Sequence, residues 1–167
     1  MTRVGRPADR PSATGPIIRR AAPDDLQAIE TIVEDAYSVW IPRIGRRPVP
    51  MDSDYPAKVE EGVVYIAEDE VVVGLIVLIE TDTHMLVENV AVAPGRQGTG
   101  VGRLLLDHAE KHARERGVSQ LDLYTHAAMT ENRALYRRLG YEEVASAGED
   151  ASPRVHFTKQ LHRGQLT

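Results

Sequence analysis

Three apolar runs constrain the fold of this chain more strongly than any other feature of its sequence. They are rich in β-branched residues and are separated by short polar turns, at residues 63–67, 71–79 and 86–92. Nearly continuous apolar runs of this length are typical of central strands covered on both faces. The sequence therefore predicts a three-stranded meander in the middle of a sheet.

Helical and strand patterns on both sides of the meander predict an α/β domain with a mixed sheet. The further predicted elements are a strand at 17–20, a helix from Pro23 to just before Pro42, a short helix at 57–61, a helix at 101–116, a strand at 120–126, a helix at 130–139 and strands at 141–145 and 155–159. An irregular, proline-rich loop joins the first two helices. We expect one domain at 17–161, a flexible tail at 1–16 and a short tail at 162–167.

Composition excludes several classes of function. The chain has 167 residues, no cysteine and a formal net charge of −5, so a thiolate nucleophile is excluded, no metal is expected and nucleic acid is disfavoured as a partner. No apolar run approaches the roughly 20 residues of a membrane span, and the N-terminus lacks an apolar signal core. We therefore expect a cytoplasmic protein with no membrane partner.

A glycine-rich turn follows the third apolar run and opens the helix at 101–116. Gly98, Gly100 and Gly102 allow close approach and positive φ, and the helix start directs N–H groups at one place. The turn suits an anion, with Thr99, Arg96 and Arg103 as further donors. An alternative is a turn that only connects strand to helix.

Three phosphate-binding motifs compete for this turn. A P-loop requires Lys and Ser or Thr after the last glycine, but Arg103 and Leu104 stand there. A dinucleotide fingerprint requires a glycine three residues after its second one, where Arg103 stands, and no early parallel βαβ unit surrounds the turn. The third motif, Gln/Arg-x-x-Gly-x-Gly/Ala, is satisfied by residues 97–102.

With this motif the sequence resembles the GNAT superfamily of acetyl-CoA-dependent N-acetyltransferases. "VENVAVAP" at 87–94 looks like the family's fourth strand, and "MTENRALYRRLGYEEV" at 129–144 looks like its last helix and following strand. The resemblance implies a central mixed, mostly antiparallel sheet of about six to seven strands with about four helices. It also implies that acetyl-CoA is the co-substrate, and that the backbone binds it at Val90, Ala91, Val92, Gln97, Gly98, Thr99, Gly100, Val101 and Gly102.

The same resemblance suggests the reacting groups. Tyr136 matches the family tyrosine that protonates or hydrogen-bonds the leaving thiolate, and Asn132, four residues earlier, shares its helix face and is expected at the cofactor. The alternative for Tyr136 is a core tyrosine that packs with Leu135 and Leu139. These two leucines lie at neighbouring core positions, and Tyr136 diverges from them. One of Val90 to Val92 is expected to supply an oxyanion-binding N–H.

Glu88 is the best-placed acid for taking a proton from the amine, and the alternative is a glutamate paired with a structural Arg or Lys. His126 and His84 are weaker candidates. For the acceptor we expect Trp40, Tyr55 and Glu88 to contribute. The region also contains Tyr37, Arg43, Arg46 and Met51, and the alternative is that the aromatics complete the core.

The sequence thus predicts an N-acetyltransferase that transfers acetyl from acetyl-CoA directly to a primary amine of a small molecule. The alternatives are acetylation of a protein or peptide amine, an acyl-CoA-binding module without catalysis, and another nucleotide binder. A monomer and a homodimer are both open.

Overall fold

A seven-stranded sheet forms the centre of the structure, a computed structural model that describes residues 14–144 and 153–162. The strands are β1 (Ile17–Arg20), β2 (Val64–Asp69), β3 (Val71–Glu80), β4 (Met85–Val92), β5 (Gln120–His126), β6 (Glu142–Val144) and β7 (Arg154–Gln160). Their order is β1-β2-β3-β4-β5-β7-β6, and every neighbouring pair is antiparallel except β4 and β5. The predicted meander and the mostly antiparallel sheet are confirmed.

Within the described ranges, five α-helices accompany the sheet. They are α1 (Leu26–Ser38), α2 (Ile41–Ile44), α3 (Tyr55–Glu61), α4 (Val101–Glu115) and α5 (Thr130–Arg138). The single turn α2 lies in the predicted loop, where Pro42 fits the first helical turn because its missing N–H would have no acceptor there. None of the helices in the described ranges is long and apolar enough to cross a bilayer. Most of both predicted tails, 1–13 and 163–167, and the predicted strand end at Ala145 lie outside the described residues.

The helices cover both faces of the sheet and create two apolar cores. One core joins α1 and α3 to the sheet and contains Ile29 and Val59, both buried. The other joins α4 and α5 to the opposite face and contains Leu105. Successive strand residues point to opposite faces, so Leu75 belongs to the first core and Ile76 to the second.

Helix α4 lies very close to β3 at Gly74. A Cβ atom built at this glycine would stand 3.0 Å from the Ala91 carbonyl oxygen and 3.1 Å from side-chain atoms of Leu105 and Val101. Val101 is the first residue of α4 and is 2% exposed. The small residue in β3 thus fixes where α4 begins, and with it the position of the glycine turn.

Strands β4 and β5 pair over only three residues and then separate. The parallel ladder joins Met85–Val87 to Leu121–Leu123. Beyond it, β4 contains a bulge at Glu88, because Val87 and Asn89 pair with the adjacent residues Leu78 and Val77 of β3. A cleft opens where the two strands diverge.

Candidate active site

The cleft between β4 and β5 holds about 740 Å³ of empty space, counting its open mouth. Its walls are the diverging strands, the segment from Ile44 to Pro50, and the start of α5. Among the residues predicted for function, the structure brings Glu88, Val90, His126, Asn132, Tyr136 and Arg46 to this cleft. Trp40 and Tyr55 do not line it.

At the edge of β4 that faces the cleft, the backbone groups of alternate residues point away from β3. The Ala93 N–H donates to the Val73 carbonyl of β3, so Ala91, two residues earlier, also faces β3. Val90 and Val92 face the other way, and their carbonyl oxygens accept bonds of 3.2 Å from Tyr37 Oη and Gln97 Nε2. The sequence predicted that Val90, Ala91 and Val92 all pair with a ligand. The peptide groups of Ala91 face β3 and bond within the sheet, so Val90 and Val92 are the residues that can pair with a ligand.

The glycine turn at the end of β4 adopts left-handed backbone at Gly98 (φ 76°) and Gly100 (φ 94°). A Cβ built at either residue would have no atom within 4 Å, so open space lies beside both. Gly100 is the N-cap of α4, and the first N–H groups of that helix have no acceptor within it. Val101 and Gly102 contribute such N–H groups, while the Val101 side chain is buried. The turn therefore presents a concentration of donors to solvent.

The side chains around the turn are already engaged. The Thr99 hydroxyl donates to the Arg96 carbonyl. Arg96 pairs with Asp69 at 2.9 Å, and the Asp69 side chain is fully buried. Arg103 is exposed and lies 4.0 Å from Asp107. Arg96, expected to contribute charge to an anion, instead fixes the turn to the end of β2.

Tyr136 is the one buried residue of α5, and it also lines the cleft. Its ring packs on Tyr141 and Phe157, with centroid distances of 6.0 and 5.6 Å. Burial raises the pKa of Tyr136 to about 12, so the phenol keeps its proton at neutral pH. Asn132 lines the same cleft from the preceding turn of α5, as expected from its spacing.

Glu88 is paired with Lys58 of α3 at 2.5 Å. The two side chains are 25% and 21% exposed, so the pair stands at the cleft wall and not in the core. The structure thus contains both features considered for Glu88, a place in the cleft and a lysine partner. The bulge at Glu88 directs this side chain towards α3.

A chain of hydrogen bonds that the sequence did not predict lies below the cleft. The Tyr37 hydroxyl donates to Asn89 Oδ1, Asn89 Nδ2 donates to Tyr55 Oη at 2.9 Å, and Tyr55 Oη donates to the Pro50 carbonyl at 2.6 Å. Burial raises the pKa of both tyrosines above the ordinary value. Tyr55 therefore positions the loop that walls the cleft. The sequence feature that could have indicated this chain is Asn89, a polar residue in an apolar strand, because a buried amide requires hydrogen-bond partners.

Trp40 lies under a guanidinium outside the cleft. Arg43 stands 4.9 Å from the centre of the Trp40 ring and pairs with Glu131 at 2.9 Å. It also donates to the Ala128 carbonyl at 3.3 Å. These contacts join α2 to the start of α5.

His126 lines the cleft, but its ring is partly engaged. Its Nδ1 atom accepts the Ala128 N–H at 3.0 Å, so the neutral ring carries its proton on Nε2. Burial, with a smaller contribution from the charge of Arg46, lowers the pKa of His126. The ring suits a hydrogen-bond donor better than a base. His84 lies outside the cleft, near Asp122.

A strand edge open to a cleft, with an N–H-rich turn at the end of the same strand, suits an extended ligand with a phosphate group. Residues 26–141, well over half of the chain, match the acetyltransferase (GNAT) family. The chain belongs to this family, as its resemblance predicted.

Three curated relatives match part of the chain. Streptothricin acetyltransferase of Streptomyces lavendulae is 38% identical over 78 residues, which cover 41% of each protein. Mycothiol acetyltransferase of Beutenbergia cavernae is 44% identical over 54 residues, 32% of this chain and 18% of that enzyme. The [ribosomal protein bS18]-alanine N-acetyltransferase of Escherichia coli is 42% identical over 56 residues, 34% of this chain and 38% of that enzyme. The chain thus matches less than half the length of each.

Solved structures share the whole fold. The ribosomal-protein-S18-alanine N-acetyltransferase of E. coli superposes with a TM-score of 0.70 at 19% identity, over 91% of this chain and 98% of that chain. The PaiA N-acetyltransferase of Thermoplasma acidophilum, solved in complex with coenzyme A, gives 0.70 at 16% identity, over 87% and 99%. At these identities the likeness concerns the fold.

Proposed function

We propose that this protein transfers an acetyl group from acetyl-CoA directly to a primary amine of a small molecule. The observation that carries the proposal is the succession of three features at β4. The Tyr136 phenol and Val90 line the cleft beside the strand, the outward edge of β4 continues to Val92, and the left-handed turn at Gly98 and Gly100 follows the strand.

The residues of the cleft fit coenzyme A. Its pyrophosphate would be held by backbone N–H groups of the turn at residues 97–102. Gly98, Gly100, Val101 and Gly102 are the main candidates, because the Gln97 and Thr99 N–H groups donate to the Pro94 and Arg96 carbonyls. Its amide-bearing arm would lie along the edge of β4 and bond Val90 and Val92, with Asn132 facing it. When bound, acetyl-CoA supplies the thioester whose acetyl group the amine takes.

Tyr136 and Glu88 are the proposed proton-handling groups. Tyr136 keeps its proton inside an apolar wall and would donate a hydrogen bond to the departing sulfur, whose developing negative charge the same burial disfavours. Glu88 would accept a proton from the amine, directly or through water, while Lys58 holds the carboxylate in place. The N–H of Val90 or Val92 would bond the acetyl oxygen as negative charge develops.

The concave form of the cleft favours a small acceptor. The diverging strands, the segment from Ile44 to Pro50 and the start of α5 surround it, as the walls of small-molecule sites do. The relatives act on different acceptors by their names, streptothricin, mycothiol and a ribosomal protein alanine. An N-terminal peptide is therefore the second candidate.

A thiol-release assay with purified protein and acetyl-CoA tests this function. Amino acids, polyamines, aminoglycosides and short peptides serve as acceptors, and melting curves with coenzyme A, ATP and NAD run beside it. We expect turnover of at least one small amine. Of the three ligands, only coenzyme A should raise the melting temperature. Stabilisation without turnover of any amine would indicate a binding module, and stabilisation by ATP or NAD alone another nucleotide binder.

A further inference from the structure

Two arginines reach the cleft from different walls. Arg46 lies in the segment that follows α2, and Arg154 is the first residue of β7. The Arg154 guanidinium stands 4.6 Å from the centre of the Tyr124 ring, which holds it in place. The two cations thus come together at the acceptor end of the cleft although 108 positions (154 − 46) separate them in sequence.

The described walls of the cleft offer these arginines no counter-charge. Glu88 is the one acid among the described lining residues, and Lys58 neutralises it. A third lining arginine, Arg47, is held by Glu34 and Asp52. Among the residues that the structure describes, neither Arg46 nor Arg154 has a carboxylate within ion-pair distance. The described walls of the cleft therefore carry a net positive charge.

We infer that the acceptor is an amine that carries its own anionic group, a carboxylate or a phosphate, which Arg46 and Arg154 bind. This inference rests on the proposed function and names the class of its acceptor. A guanidinium binds either oxyanion through two parallel N–H bonds. The same charges repel a polycationic acceptor.

The arginines also favour the reactive form of the amine. The attacking nitrogen has to be neutral, and nearby positive charge disfavours its ammonium form. The charge of Arg46 already acts on the cleft, because with burial it lowers the pKa of His126. Oxyanion binding and amine activation thus draw on the same two side chains.

Matched pairs of acceptors test this inference. Amino acids are compared with their carboxamides, 2-aminoethyl phosphate with ethanolamine, and spermidine serves as the cationic acceptor. The variants are Arg46→Gln and Arg154→Gln, with Lys111→Gln as control, since Lys111 is exposed on α4 outside the cleft. The two kinds of anion show which oxyanion is preferred. Arg154→Lys retains the positive charge but lacks the planar guanidinium, so it separates the effect of charge from that of two parallel N–H bonds.

We expect kcat/KM of the wild-type protein to be at least about tenfold higher for an anionic amine than for its neutral partner, in line with a desolvated charge pair. Arg46→Gln and Arg154→Gln should each remove most of that preference, because kcat/KM for the anionic acceptor should fall much more than kcat/KM for its neutral partner. Lys111→Gln should change neither. Equal rates for both partners, or a preference for spermidine, would overturn the inference while the proposed function stands.

Calorimetry provides a readout that needs no turnover. N-acetyl amino acids and their amides are titrated into the protein saturated with coenzyme A. Tighter binding of the acids, lost in both arginine variants, is the expected result. If it occurs without turnover of any amine, the proposed function fails and the anion site remains. Equal binding of acids and amides would overturn the anion site.

Discussion

Glu88 and Lys58 form an ion pair at the point where the β4 ladder is interrupted by a bulge. The pair joins the strand that borders the cleft to α3, and the bulge puts Glu88 on that side. A carboxylate in this position has two possible uses, to hold α3 and to accept a proton. The two uses make different predictions.

Glu88→Gln should lower kcat/KM about 100-fold, the lower range for loss of a general base, because glutamine keeps the size but cannot take a proton. Lys58→Met should lower kcat/KM much less, because it leaves the Glu88 carboxylate in the cleft. Glu60→Gln, exposed on α3, is the control. Steady-state kinetics with one amine decides, and equal losses in the Glu88 and Lys58 variants would assign the pair a structural role.

Tyr136→Phe should reduce kcat about tenfold to 100-fold while the Kd for coenzyme A stays within about twofold. Phenylalanine retains the contacts with Tyr141 and Phe157 and removes only the hydroxyl. Tyr141→Phe is a matched control, because the Tyr141 hydroxyl is buried and has no hydrogen-bond partner in the described part of the chain. Turnover unchanged in Tyr136→Phe over the full pH range would end the proposed role.

Gly100→Val should abolish the rise in melting temperature that coenzyme A produces. Valine at φ 94° is strained, and its side chain would fill the open space beside the turn. Gly95→Val is the control, since Gly95 also has open space but no positive φ. The measurement is the melting temperature with and without 100 times the Kd of coenzyme A, for which wild-type stabilisation is about 2.7 kcal/mol. A folded Gly100→Val protein with full stabilisation would contradict the phosphate assignment.

The sequence predicted most of the architecture, because the spacing of apolar residues and the positions of glycines reflect the local conformation of the chain. The three apolar runs became β2, β3 and β4, and the helix after the glycine turn became α4. For α5 the sequence placed Leu135 and Leu139 in the core and turned Tyr136 away from it. In the structure Tyr136 is the buried residue and the two leucines are half-buried, because its ring packs on Tyr141 and on Phe157, which comes from a strand far along the chain.

The acceptor end of the site was less accessible to prediction. Trp40 and Tyr55 were expected at the acceptor, but Arg43 covers the first, and Asn89 holds the second. Arg154 was not expected at all, since it stands in a closing strand far along the chain. Residues such as Arg43, Asn89 and Arg154 reach their positions through tertiary contacts, which the local spacing of residues in the sequence does not reveal.

His108 and His112 predict a loss of stability in mild acid. Both rings pack on Tyr65, with centroid distances of 4.8 and 5.3 Å, and burial lowers the pKa of each histidine. The unfolded chain, with histidine pKa values near 6.5, then binds more protons, so stability falls as pH drops through and below that value.

The double variant His108→Gln, His112→Gln should show a smaller fall. We expect its melting temperature to drop by roughly 3 °C less than that of the wild type between pH 7.5 and pH 5. Arg138→Gln, an exposed cation of α5 that does not act on either histidine, keeps both rings and should follow the wild type closely. Parallel curves for the double variant and the wild type would assign the acid sensitivity to other groups.

Gly74→Ala should destabilise the protein by about 1–3 kcal/mol, the usual cost of adding a methyl group where there is no room. The new Cβ would meet the Ala91 carbonyl at 3.0 Å and force α4 away from β3 at Val101. Because Val101 follows the glycine turn directly, the Kd for coenzyme A should rise together with the loss of stability. Gly95→Ala, in open space, should affect neither. Urea unfolding and coenzyme A titration measure the two effects, and an unchanged unfolding midpoint in Gly74→Ala would show that β3 and α4 can separate without cost.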